Sequence, residues 1–126
     1  MRFNTTFHCN LNIFARSPSF SISFRDKDKY SAADPITYIF YRMFETNKFH
    51  EVFDGAIHND EFGSKNYWIY MWLRHDCFND GKFQRFYIGL SEPCPLDKNC
   101  HYDINLDLTN YINKPWGYLV KNSYFY

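Results

Sequence analysis

The chain carries no net charge: 14 Lys and Arg balance 14 Asp and Glu. A nucleic-acid-binding surface ordinarily shows as a basic excess, and a nucleic-acid mimic as an acidic one; neither is present. Glycine is scarce. Gly55, Gly63, Gly81, Gly89 and Gly117 stand apart from one another, so no Gly-rich loop can cradle a phosphate and no Gly-x-Ser-x-Gly turn raises a serine nucleophile. No apolar run approaches the roughly 20 residues that a membrane-crossing helix needs. The opening Met1-Arg2-Phe3-Asn4-Thr5-Thr6 is broken by Asn and Thr and lacks the apolar stretch of a secretory leader. These absences predict a cytoplasmic protein with reduced cysteines and with no membrane or nucleic-acid partner.

Metal and cofactor chemistry also finds little support. His8-Cys9, His75-Asp76-Cys77 and Cys94 with Cys100-His101 supply the side chains zinc prefers. None has the two-to-four-residue spacing of a structural knuckle, and on a strand His8 and Cys9 point to opposite faces, as do Asp76 and Cys77. Cys94 and Cys100 could be bridged across the loop holding Pro95, but only in an oxidising compartment. The expectation is no metal, no cofactor and no catalytic residue.

What the chain has in excess is aromatic surface, with 14 Phe, 11 Tyr and 3 Trp in 126 residues. Such surface builds cores, and it also builds binding faces. A chain of this length is expected to form a single domain, 1–126, with a core of its own. Residues 6–15 alternate, with Phe7, Cys9, Leu11 and Ile13 on one side. After Ser17-Pro18-Ser19, Phe20, Ile22 and Phe24 alternate with serines. Two such strands around a turn predict an antiparallel hairpin.

Asp34-Pro35 has the form of a helix start. Ile36, Ile39, Phe40, Met43 and Phe44 then fall on one helical stripe, which predicts a helix over about 34–47. Asn79-Asp80-Gly81-Lys82 holds a dipeptide suited to a two-residue type I′ turn. That turn would set Leu73 opposite Ile88, Met71 opposite Leu90, Asp76 opposite Arg85, Arg74 opposite Tyr87 and Trp72 opposite Gly89. Tyr102, Ile104, Leu106 and Leu108 alternate with polar residues, and a last strand is expected over 116–126. The order β-β-α-β-β-β describes an α+β fold, a mainly antiparallel sheet of five or six strands with one principal helix on one face.

Trp68-Ile69-Tyr70 followed by Tyr87-Ile88-Gly89 resembles the paired strands of GIY-YIG nucleases. The resemblance covers about 25 residues and implies two neighbouring tyrosines, Tyr70 and Tyr87, with an essential Arg and a metal-binding Glu on helices downstream. Here Trp68 replaces the first glycine, no Arg follows Arg85, and Glu92 is the only later glutamate. Exposed aromatics on a sheet also characterise RNA-binding domains, but those come with a basic groove.

A non-catalytic inhibitor fits the composition best. In its most specific form the chain is a bacterial toxin-immunity protein that blocks its cognate toxin's active site in a monomeric 1:1 complex. A phage-encoded inhibitor of a host defence protein is the alternative, the partner being the cognate toxin or a host enzyme. Residues 49–64 hold Glu51, Asp54, Asp60 and Glu61 with no Lys or Arg, a natural complement to the phosphate-attracting site of a nuclease toxin. Trp68, Tyr70 and Trp72, on the side of their strand away from Met71 and Leu73, complete the expected partner-binding set. One helix covers only part of one sheet face, so these aromatics need either an internal cover or a partner.

Overall fold

The structure is a computed structural model and describes residues 1–11, 16–26, 34–56, 66–90, 93–95, 98–111, 116–118 and 122–125. Within them the chain is all strand and loop. Four strands form the smaller sheet, in the order β12 (Asn122–Phe125), β10 (Cys100–Asp107), β1 (Arg2–His8) and β5 (Lys48–Asp54). The larger sheet runs β11 (Trp116–Tyr118), β8 (Gln84–Gly89), β7 (Ile69–His75) and β2 (Ser19–Asp26), and both β3 (Asp34–Pro35) and β4 (Phe40–Met43) pair with the far edge of β2. A short ribbon pairs β6 (Asn66–Tyr67) with β9 (Cys94–Pro95). The α+β expectation is therefore corrected to an all-β fold in the described residues.

The two main sheets face each other across an aromatic core, and this is where most of the phenylalanine goes. From β1, Phe3 stacks on Phe24 of β2 with ring centroids 3.9 Å apart, and Phe7 meets Phe20 edge-on at 5.1 Å. From β5, Phe49 packs on Phe20 at 4.7 Å and Phe53 on Phe40 at 5.1 Å. Offset and edge-to-face contacts of this kind add to the gain from burying the rings. Tyr102, Ile104, Leu106, Met71, Leu73, Phe86 and Ile88 extend the core along both sheets.

The expected N-terminal hairpin does not form. The first strand is Arg2–His8 and overlaps the expected 6–15 only at 6–8, with 12–15, Ile13 included, outside the described residues. It and β2 sit in different sheets, face to face. Alternation reports which side of a strand is buried; it does not say whether the neighbour lies beside the strand or across the core. Beside β1 lie β5, antiparallel, and β10, parallel.

The helix expected over 34–47 is replaced by β3, β4 and the turns around them. Its stripe is divided: Ile36 and Phe44 are buried, whereas Ile39 and Met43 are exposed. The run Ile36-Thr37-Tyr38-Ile39-Phe40-Tyr41 consists of β-branched and aromatic residues, which favour strand over helix. The edge of β2 also has backbone groups to satisfy. Ile36 N donates to Phe24 O (2.8 Å), and Phe24 N donates to Thr37 Oγ1 (3.0 Å). Pro35 fits an edge, where no ladder donor is needed.

The β7–β8 register is displaced by two residues from the expected one. Leu73 faces Phe86, Met71 faces Ile88, Trp72 faces Tyr87, Arg74 faces Arg85 and Tyr70 faces Gly89. The turn closes one residue earlier, through Gly81 N to Phe78 O (3.0 Å), with Gly81 at φ 71°. Residues 76–83 are held by other parts of the chain, which keeps them out of the ladder. Asp76 accepts from Ser19 N (2.7 Å), Cys77 is bonded to Cys9, and Asn79 N donates to Asn110 Oδ1 (3.0 Å). A slip of two preserves the alternation, so the expected faces survive while each expected cross-strand pair is lost. The expected last strand is likewise two pieces, β11 in the larger sheet and β12 in the smaller.

All four cysteines are oxidised, as Cys9–Cys77 and Cys94–Cys100. The first ties the smaller sheet to the end of β7; the second closes the short loop between β9 and β10. The expectation of reduced thiols is corrected, and none of these sulfurs is a free thiolate ligand. No helix among the described residues is long and apolar enough to cross a membrane.

Beside the first bridge, His75 is fully buried between Phe78 and Phe86, with ring centroids 4.6 and 5.4 Å away. Its Nδ1 accepts from Cys77 N (3.0 Å), so the neutral ring carries its proton on Nε2, which has no hydrogen-bond partner among the described residues. Burial pushes its pKa down to about 4. Between that value and the ordinary 6.5, the unfolded chain takes up a proton that the folded chain refuses. Stability is therefore full above pH 6.5 and falls by about 3 kcal/mol as the pH drops to 4. Urea titrations from pH 7.5 to 4 are expected to show this slope, and His75→Phe is expected to flatten it. An equal slope in the variant would place the proton uptake elsewhere.

Candidate functional site

The outer faces of the two sheets differ in character. On the smaller sheet the outward residues pair with one another. Arg2 Nε donates to Asp54 Oδ1 (2.8 Å), Asn4 Nδ2 donates to Asp103 Oδ1 (3.0 Å), and the His50 ring bonds Asn4. The Arg2 guanidinium holds the Asp54 carboxyl below the usual carboxylate range. This face is mainly polar, with Val52 its exposed apolar side chain.

On the larger sheet the outward side chains form three rows fixed by the ladder. Tyr41, Ser21, Arg74 and Arg85 make the first; Ser23, Trp72 and Tyr87 the second; Arg25, Tyr70 and Gly89 the third. Arg74 and Arg85 stand directly opposite, an arrangement that places their Cβ atoms about 5 Å apart and costs stability for like charges. The Arg25 guanidinium lies over Trp72 at 5.2 Å, Arg85 over the same ring at 5.8 Å, and Arg74 over Phe83 at 4.0 Å. Among the described residues no carboxylate pairs with any of the three arginines. Asp26, the acid nearest in sequence, points to the core side and accepts from Trp68 N (3.1 Å).

Along the β2 edge of this face runs an open groove of about 460 Å³ lined by Ser23, Arg25, Pro35, Thr37, Tyr38 and Ile39. Tyr38 is 94% exposed; Ile39, Tyr41 and Met43 follow it, also exposed. The segment holds them outward because Ile36 and Phe44 are its buried anchors, one at each end. The helical spacing of the 34–47 stripe hides these residues; the signal in the sequence that reveals them is the β-branched and aromatic run itself.

The residues expected to contact a partner fall in different places. Glu51 and Asp54 are on β5 of the smaller sheet, and Asp54 already carries the Arg2 ion pair. Asp60 and Glu61 lie outside the described residues. Trp68 precedes β7 and is 54% exposed, Trp72 is half-buried beneath the arginines, and Tyr70 is buried. Asp54 projects from the outer face of the smaller sheet, across the sandwich from the tryptophans, whereas Glu51 lies on the inward side of β5, at a pocket it shares with Arg42 of β4. Direct contact on the larger face is left to Trp68, Trp72 and the exposed 38–43 residues.

Tyr70 and Tyr87 sit on neighbouring strands with rings 6.1 Å apart. The helices that a GIY-YIG nuclease needs after them have no counterpart in the described residues, which downstream are strand and loop. No protein-family model, curated protein or solved structure matches the chain.

Proposed function

We propose that the protein is a non-catalytic inhibitor that docks the outer face of its larger sheet, with the adjoining 38–43 edge, onto a protein partner. The exposure of Tyr38, Ile39, Tyr41 and Met43 along the β2 edge of the face that carries Arg25 and Trp72 supports this reading. Aromatic and apolar anchors next to arginines are the residue types that dominate binding energy at protein interfaces. A second support is the position of β4, whose only partner among the described strands is β2. Its outer edge is open to a strand from another chain. The partner is a toxin or an enzyme bound 1:1. The two disulfides favour an encounter in an oxidising compartment over the cytoplasm.

The test is a complex recovered from the native host with the oxidised protein as bait, sized by light scattering. Tyr38→Ala with Tyr41→Ala is expected to weaken that complex about 30-fold, or about 2 kcal/mol. The melting temperature should stay nearly constant, since both side chains are exposed. Undiminished affinity in the double variant would contradict the proposed face.

A further inference from the structure

The arginine row poses a question that packing does not answer. Arg74 and Arg85 face each other across two central strands, with Arg25 two rows away, and no carboxylate of the described residues offsets them. A sheet selected for stability alone would place an acid, a threonine or an aromatic at one of these positions. The like-charge pair instead concentrates positive potential on a chain whose overall charge is zero.

The aromatics beneath the arginines decide what kind of anion fits. Trp72 carries two guanidiniums over its ring and Phe83 carries a third. Rings covered in this way are not free platforms for a nucleobase or a sugar. They act as supports. Stacking restrains each guanidinium and leaves its edge N–H donors available for bidentate bonds to a carboxylate. Immediately alongside, the groove between Arg25 and Tyr38 offers Pro35, Thr37 and Ile39 to an aliphatic side chain.

We infer that this face binds an acidic peptide segment of the partner protein, its carboxylates bridging Arg74, Arg85 and Arg25 and a neighbouring apolar side chain entering the groove. The inference rests on the reading of this face as a protein-binding surface and names the chemistry of what it recognises. A sulfated glycan or a nucleic-acid backbone would satisfy the arginines but has no aliphatic side chain for the groove.

The experiment uses the oxidised full-length chain and three fluorescent probes at matched charge: a peptide alternating Glu with Leu, a heparin-type sulfated oligosaccharide and a single-stranded oligonucleotide. The peptide is expected to bind tightest, to lose at least tenfold in affinity when its leucines become serines, and to weaken as salt rises. Arg74→Gln with Arg85→Gln should lower peptide affinity at least tenfold while raising the melting temperature, because the like-charge pair is relieved. The rise in melting temperature separates a binding role from a structural one. Tighter binding of either other probe, indifference to the leucines, unchanged affinity in the arginine variant, or a fall in its melting temperature would overturn the inference. A native complex that still depends on Tyr38 and Tyr41 would, in that event, leave the docking face standing and remove only the acidic segment.

Discussion

Replacing Cys9 and Cys77 together by alanine is expected to lower the unfolding free energy by about 4 kcal/mol, against about 2 kcal/mol for the same change at Cys94 and Cys100. The difference follows from chain length. The first bridge joins residues 68 apart and the second residues 6 apart, and a cross-link restricts the unfolded chain more when it closes a longer loop. Burial does not separate the two bridges, because all four cysteines are fully buried. Urea unfolding followed by tryptophan fluorescence measures both variants. Equal losses, or a larger loss at Cys94 and Cys100, would mean that the long bridge does not hold the two sheets together.

The second large effect lies at the centre of the core. Phe24→Ala is expected to destabilise the fold by about 4 kcal/mol, and Phe3→Ala by a similar amount, as for other large rings removed from well-packed interiors. Both rings are fully buried and stack almost parallel across the gap between the sheets. Removing one leaves a cavity and strips the other of its stacking partner. The double variant should therefore lose less than the sum of the two, by about 1 kcal/mol. Strict additivity would show that the rings do not touch in solution, and that β1 and β2 are not opposed across a core. The cycle also discriminates between architectures. In the side-by-side hairpin expected from sequence, Phe3 and Phe24 would not stack face to face.

These two experiments bear on the places where sequence was least informative. Period-two alternation correctly marked the buried sides of β1, β2, β7, β8 and β10, because burial on one face of a pleated strand is a local property. It does not tell a lateral neighbour from one across the core, which is why the alternation over 6–15 and at Phe20, Ile22 and Phe24 reads as a hairpin. The stripe Ile36, Ile39, Phe40, Met43 and Phe44 is helical in spacing, yet β propensity and the unsatisfied edge of β2 prevailed. The Asp80-Gly81 turn was located almost correctly. Its two-residue loop was not, since Cys77, Asp76 and Asn79 are bound elsewhere, and those partners are remote in sequence. The candidate site shares this history. Trp68 and Trp72 were legible as surplus aromatic surface, whereas Tyr38, Tyr41 and the facing pair Arg74 and Arg85 emerge only once the strands are placed.

The most direct test of the proposed docking face is hydrogen exchange of the oxidised protein, alone and in its native complex. Slowed exchange is expected in residues 36–43, 68–74 and 83–87, with the outer face of β1, β5 and β10 unchanged. Protection centred on Glu51 and Asp54 of β5 instead would place the interface on the other sheet and contradict the account.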